Sequence, residues 1–289
     1  MKRDAEESVR AALRRVWPDP ATLEETQIRP LGGGVNPRTF LAVADKQRYV
    51  LRLPTASSMA LLDLATEARA MSVAAAADLA PAVVAVDLEA GLLLTEYRIM
   101  PWTNEMVRAP IAISPIVRLL RALHALPAEL PIIAIESIAA RYLAGLDADS
   151  ASPMTTDDRR WGDELLRLAR RHEASHAPIV FCHNDLVASN ILTDGVAAQL
   201  IDFEYAGRGT PLLDLANLAG MNDFTATQRE LLLAEYYGEP ATVPLVRELD
   251  NAIRMVRLLG YFWARLAARR VDGATAYLRL AAEIGATLK

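Results

Sequence analysis

The sequence predicts an α+β fold of two lobes, a small β-rich N-terminal lobe over residues 1–97 and a larger, mainly helical lobe over residues 98–289. Three observations carry that expectation. Short apolar runs bounded by glycine, proline and polar residues crowd the first hundred positions, the pattern of strands. From Pro101-Trp102 onward the apolar residues mostly recur at helical spacing. One stretch breaks into that helical region, Phe181 to Gly207, FCHNDLVASNILTDGVAAQLIDFEYAG, and it reads as strand, polar loop and hairpin.

The N-terminal lobe begins with a short amphipathic helix over residues 7–17, whose apolar side is Val9, Leu13, Val16 and Trp17. Thr26–Leu31 and Thr39–Val43 are strands joined by Gly32-Gly33-Gly34-Val35-Asn36-Pro37-Arg38, and Tyr49–Leu53 is a third strand. Consecutive glycines let a backbone approach a ligand closely and present N–H groups to phosphate oxygens, which makes Gly33, Gly34 and Asn36 candidates for nucleotide contact. Arg52, on the third strand, is a candidate for neutralising phosphates with a planar fork. An alanine-rich helix from about Met59 to Asp78 follows, ended by Pro81. Glu67 within it is the expected ion-pair partner of Arg52, with Asp63 one turn earlier as its rival. Ala82–Asp87 and Leu92–Tyr97 form a second hairpin around Gly91. The chain past Leu94, through Glu96 and Tyr97, then leads out of this lobe toward Pro101-Trp102.

In the second lobe Ser114-Pro115 reads as a helix start, an N-cap followed by proline at the first helical position. His124 is expected to pack within that helix rather than to catalyse. Arg159 to Arg171 is a helix with a buried leucine stripe, Pro211–Asn217 opens another, and Pro244 to Arg270 is one long helix if Gly260 is tolerated inside it.

The Phe181–Gly207 stretch concentrates the chemistry. An apolar run, Pro178–Cys182, leads into His183, Asn184 and Asp185, with Asn190 five positions after the aspartate. Two short strands then flank Asp194-Gly195, a pair suited to the positive φ of a tight turn. The turn brings Asp202 back beside Asn190, and Glu204 points the same way as Asp202 because extended chain repeats every two residues. Asn190 and Asp202 are hard oxygen ligands suited to Mg2+, while Asp185 is a free carboxylate placed to orient and deprotonate a substrate hydroxyl. An ordinary hairpin with a polar rim would not need all three at this spacing.

Bulk numbers limit the alternatives. At 289 residues the chain can bury two cores, and 52% hydrophobic with 6% aromatic residues is a globular composition. A net charge of -5 gives no reason to expect nucleic acid as a partner. The single cysteine, Cys182, rules out an internal disulfide and reads as a small buried hydrophobe. The charged N-terminus has no apolar segment after it, and no uncharged stretch has the length of a membrane span. A cytoplasmic protein without membrane or nucleic-acid partners is expected; its oligomeric state is open.

His183-Asn184-Asp185-Leu186 with Asn190, then Ile201-Asp202-Phe203-Glu204-Tyr205-Ala206-Gly207, resembles the choline/ethanolamine kinase family, within the aminoglycoside-phosphotransferase-like small-molecule kinases. The resemblance implies a protein-kinase-like fold and transfer of the γ-phosphoryl group of ATP, with Mg2+, to a hydroxyl of a small, cationic amino alcohol. An aminoglycoside or thiamine kinase is the nearest alternative, and a nucleotide-binding pseudokinase without turnover is the alternative of a different class. The resemblance also implies that Asp214 braces the catalytic loop and that the chain past Leu94, through Glu96 and Tyr97, is the hinge where backbone groups would read adenine. Asp185, Glu204 and Trp263 are then the acceptor-binding candidates, Trp263 as an aromatic face for an ammonium. The family places a second tryptophan on that helix and an acid after the aspartate helix. Here Gly260 and Met221 hold those places, with Asp223 two residues on.

Overall fold

The structure, a computed structural model, describes residues 3–17, 22–31, 38–44, 47–54, 63–98, 100–148, 154–193, 198–269 and 274–289. Two compact units emerge, one of Met1–Trp102, Leu126–Leu130 and Ser189–Ala206, the other of Thr103–Ala125, Pro131–Ala188 and Gly207–Lys289.

In the first unit, α1 (Arg3–Val16) precedes β1 (Gln27–Leu31), β2 (Arg38–Ala44), β3 (Gln47–Leu53), α2 (Leu64–Ala76), β4 (Val83–Asp87) and β5 (Leu92–Glu96). These strands make one antiparallel sheet in the order β1-β2-β3-β5-β4. The α1 stripe expected from the sequence is buried: Val9, Leu13, Val16 and Trp17 join Phe40, Leu51, Leu92 and Leu94 in one core. Burying a leucine of this kind stabilises by about 1.5–3 kcal/mol. Helix α2 starts at Leu64 because Asp63 caps it, its carboxylate accepting from the Thr66 N–H at 3.1 Å. A second sheet of the same unit joins β6 (Met100–Pro101), β8 (Ile191–Thr193) and β9 (Ala198–Leu200). The glycine turn at 32–37 and the Asp194-Gly195 turn lie outside the described residues.

The second unit contains α3 (Asn104–Arg108), α4 (Pro110–His124), α5 (Ile135–Asp147), α6 (Thr156–Glu173), α7 (Pro211–Met221), α8 (Ala226–Tyr237), α9 (Val243–Ala267) and α10 (Ala274–Thr287), with the strand pair β7 (Val180–Cys182) and β10 (Gly207–Gly209). At Gly207 a Cβ would meet the Ile133 side chain at 2.4 Å and the Pro131 carbonyl oxygen at 3.0 Å, so any larger residue would have to displace Ile133. Helix α4 corrects one expectation. It starts at Pro110, not at Ser114-Pro115, and carries Pro115 inside. Pro115 lacks the N–H for the carbonyl of Ile111, and Ile111 is exposed, where water can replace the lost bond. Helix α9 runs through Gly260 as the sequence suggested, because its core side is held by Leu249, Met255, Leu258 and Phe262.

The same core contains a fully buried carboxylate, Asp158. It closes the N-terminus of α6 with Thr155, accepts from the Tyr261 hydroxyl at 2.6 Å, and pairs with Arg265. Burial opposes its ionisation, but the hydrogen bonds from Tyr261, Arg265 and Thr155 win and hold the carboxyl below its usual value. The stability this gives is present above the ordinary aspartate pKa of about 4 and is lost as pH falls through the lower native value. Asp158→Ala is expected to cost about 3–5 kcal/mol at neutral pH, since it strands Arg265. Denaturant unfolding at pH 7 and at acid pH checks this: the difference between the two proteins should shrink on acidification. Equal midpoints at pH 7 would contradict it.

Candidate active site

In the second unit the chain leaves β7 at Cys182 and enters a loop whose backbone is fixed almost atom by atom. Asp214, on α7, is fully buried, and its two oxygens accept the N–H groups of His183 (2.9 Å) and Asn184 (2.7 Å). Asn217, one turn further, accepts the Leu186 N–H at 2.8 Å and donates to the Asn184 carbonyl at 2.7 Å. Asn222 donates to the Leu186 carbonyl at 2.8 Å. His183 is buried and accepts the Asp185 N–H on Nδ1 at 3.2 Å. Asn184 takes a left-handed backbone (φ 65°), which asparagine tolerates better than most residues. Asp185 is thus half-buried on a loop held from both sides, the preorganisation a reacting carboxylate needs.

Asp214 is itself oriented. His124 Nε2 donates to its Oδ2 at 3.0 Å, and His124 Nδ1 shares a hydrogen bond with the Tyr236 hydroxyl at 2.7 Å. Burial resists ionisation of Asp214, but this bond and the loop N–H groups hold its carboxyl below the usual range. Cys182 lies beside the pair and is fully buried; burial pushes its thiol well up, so it is inert as a nucleophile. The signal for this network was in the sequence: Asp214 and Asn217 are polar residues one turn apart on an otherwise apolar helix, PLLDLANLAGM.

The first unit brings a second group together. Arg52 on β3 donates from Nη1 to Asp202 Oδ1 at 2.9 Å and from Nη2 to Glu67 on α2. Its partner is therefore Glu67, while Asp63 serves as the helix cap. Burial would depress the Arg52 pKa, but the charges of Glu67, Asp202 and Glu204 raise it. Burial raises the Glu67 carboxyl against the pull of Arg52, and Glu67 Oε1 has no partner among the described residues. The β8–β9 hairpin returns the chain as expected: the Ile201 N–H meets the Asn190 carbonyl at 3.0 Å. Asp202 follows with a left-handed backbone (φ 67°), and Phe203 is fully buried between partly exposed Asp202 and Glu204. Asn190 and Asp202 supply hard oxygen donors on adjacent strand ends, a set that suits Mg2+.

The remaining expected residues are placed as follows. Gly33, Gly34 and Asn36 lie outside the described residues. The Glu96 and Tyr97 N–H groups bond to the Ala82 and Arg48 carbonyls, both at 2.9 Å, so any N–H reading of a base falls past Tyr97. Trp263 meets Tyr277 edge-on at 5.6 Å at the margin of the helical core. A Cβ at Gly260 would sit 3.5 Å from Ile284, so that side of the helix is occupied. No helix among the described residues is long and apolar enough to cross a membrane.

A model of the phosphotransferase enzyme family matches residues 27–249. Ethanolamine kinase 2 of Homo sapiens is 31% identical over 118 residues, a stretch that takes in 35% of this chain and 31% of that protein, so about a third of the relative's length is matched. Protein LicA of Haemophilus influenzae is 27% identical over 215 residues, 71% of this chain and 61% of that protein. Among solved structures, a choline/ethanolamine kinase family protein from Mesorhizobium loti has a TM-score of 0.78 at 26% identity, covering 98% of this chain and 95% of that one. The two-lobed, kinase-like α+β fold expected from the sequence is the fold of these relatives.

Proposed function

The chain belongs to the phosphotransferase enzyme family, and from that membership we propose that it transfers the γ-phosphoryl group of ATP to a hydroxyl of a small amino alcohol, as a choline or ethanolamine kinase does. The single observation that carries this reading is the half-buried Asp185 on a loop pinned by Asp214, Asn217 and Asn222. Asp185 orients the acceptor hydroxyl and takes its proton as the oxygen attacks. Asn190 and Asp202 would hold Mg2+, which would neutralise the charge of the ATP phosphates. Arg52, fixed by Glu67, turns its planar fork to the phosphates in place of Asp202. Gly33, Gly34 and Asn36 contribute backbone contacts to the phosphates, and the segment around Glu96 and Tyr97 borders the base. Glu204 and Trp263 attract the ammonium of the acceptor, by charge and by the ring face respectively.

The test is ADP release with Mg2+ and ATP against choline, ethanolamine, thiamine and kanamycin. Turnover with choline or ethanolamine far above the other two is expected. Preference for kanamycin or thiamine would reassign the acceptor. ATP binding without turnover on any hydroxyl compound would point to a silent nucleotide-binding protein.

A further inference from the structure

Asp223, the acid two residues after Met221, is already occupied. Asp223 follows Asn222 with a left-handed backbone (φ 52°). Each of its oxygens holds an arginine: Arg257 Nη2 on Oδ1 at 2.8 Å and Arg108 Nη2 on Oδ2 at 3.1 Å. The arginines come from different helices, α3 and α9, and both also hold the C-terminal end of α7. Arg108 Nε donates to the Asn222 carbonyl at 2.7 Å, and Arg257 donates to the Gly220 carbonyl at 3.1 Å. Two cations against one carboxylate leave a net charge of about +1.

This cluster is tied to the catalytic loop through one residue. Asn222, whose carbonyl Arg108 holds, donates its side-chain amide to Leu186, the neighbour of Asp185. The Nη1 atoms of Arg108 and Arg257 have no partner among the described residues, and both side chains reach solvent. Asn222 Oδ1 is buried and likewise without a donor. Two guanidinium forks set by a shared carboxylate, each with a free outer nitrogen, match an oxyanion such as a carboxylate or a phosphate. A bare ammonium would instead meet net positive charge here.

We propose that Arg108 and Arg257, aligned by Asp223, form an anion-recognising subsite, and that the acceptor is a small hydroxyl compound bearing a carboxylate or phosphate group. This rests on the phosphotransferase reading and narrows its acceptor from a plain amino alcohol to one that also carries an anionic group. Were the cluster only a helix-end brace, its substitution would change stability and not the choice of acceptor.

Matched acceptors that differ by one carboxylate provide the test: ethanolamine against serine, and glycerol against glycerate, by ADP release with Mg2+ and ATP. If neither member of a pair turns over, calorimetric binding in the presence of Mg2+ and ADP is compared instead. The carboxylated member should be favoured by about tenfold or more, the scale of one charge-assisted hydrogen bond. Arg108→Gln, Arg257→Gln and Asp223→Asn, which removes the aligning carboxylate, should each erode that preference. The KM for ATP should stay constant in all three. A preference for ethanolamine or choline, failure of both carboxylated compounds to bind, or an unchanged ratio in folded variants would overturn the subsite. Loss of ATP binding by the wild-type protein would instead overturn the phosphotransferase reading on which it stands.

Discussion

Asp185→Asn should lower turnover by at least ~100-fold, the range of a lost general base, while ATP affinity stays nearly intact. The substitution is close to isosteric, so the loop geometry should survive. That geometry is set by backbone bonds to Asp214, Asn217 and Asn222, none of which involves the Asp185 carboxylate. What changes is the ability to accept a proton. Steady-state kinetics on the best acceptor, with a separate nucleotide titration, reads the two effects apart. Wild-type turnover in the variant would remove Asp185 from the chemistry. A matched loss of ATP affinity would mean that the change had disturbed the fold instead.

Asp202→Ala should abolish Mg2+-dependent nucleotide binding. In the structure Asp202 is held by Arg52 at 2.9 Å, and Arg52 is held in turn by buried Glu67. Removing the carboxylate takes away one of the two oxygen donors proposed for the metal and leaves Arg52 with Glu67 as its remaining ion-pair partner among those it now contacts. Mg2+ held there would neutralise the phosphates, so its loss should fall on nucleotide affinity and not on the chemical step alone. Calorimetry with and without Mg2+ should show metal-dependent ATP binding in the wild type and none in the variant. Unchanged binding of Mg-ATP would place the metal elsewhere.

Local signals made most of the strands, helices and loop residues legible before any coordinates. The α1 stripe and the β8–β9 hairpin followed from periodicity and turn chemistry, whereas charge alone left Glu67 and Asp63 both open as the partner of Arg52, and the structure pairs it with Glu67. Ser114-Pro115 misled because a strong local start signal was overridden: the helix had already begun at Pro110, where exposed Ile111 tolerates the lost bond. The engagement of the Glu96 and Tyr97 N–H groups depends on sheet partners far away in sequence, which no local pattern reports. The same holds for Asp223. Its spacing drew notice as a displaced acid, but its two arginines lie 115 and 34 residues away. The His124–Tyr236 bond closes over a comparable gap of 112 residues, so His124 read correctly as a packed histidine while its partner stayed hidden.

The most direct measurement follows the γ-phosphorus of ATP by phosphorus NMR, with Mg2+, the protein and a mixture of small hydroxyl-bearing amines and amino acids. A new phosphomonoester signal should grow as the γ-signal decays, with little inorganic phosphate, and Asp185→Asn should suppress it. Decay of ATP to inorganic phosphate alone, or a phosphomonoester that forms equally well with Asp185→Asn, would contradict phosphoryl transfer to a hydroxyl by this loop.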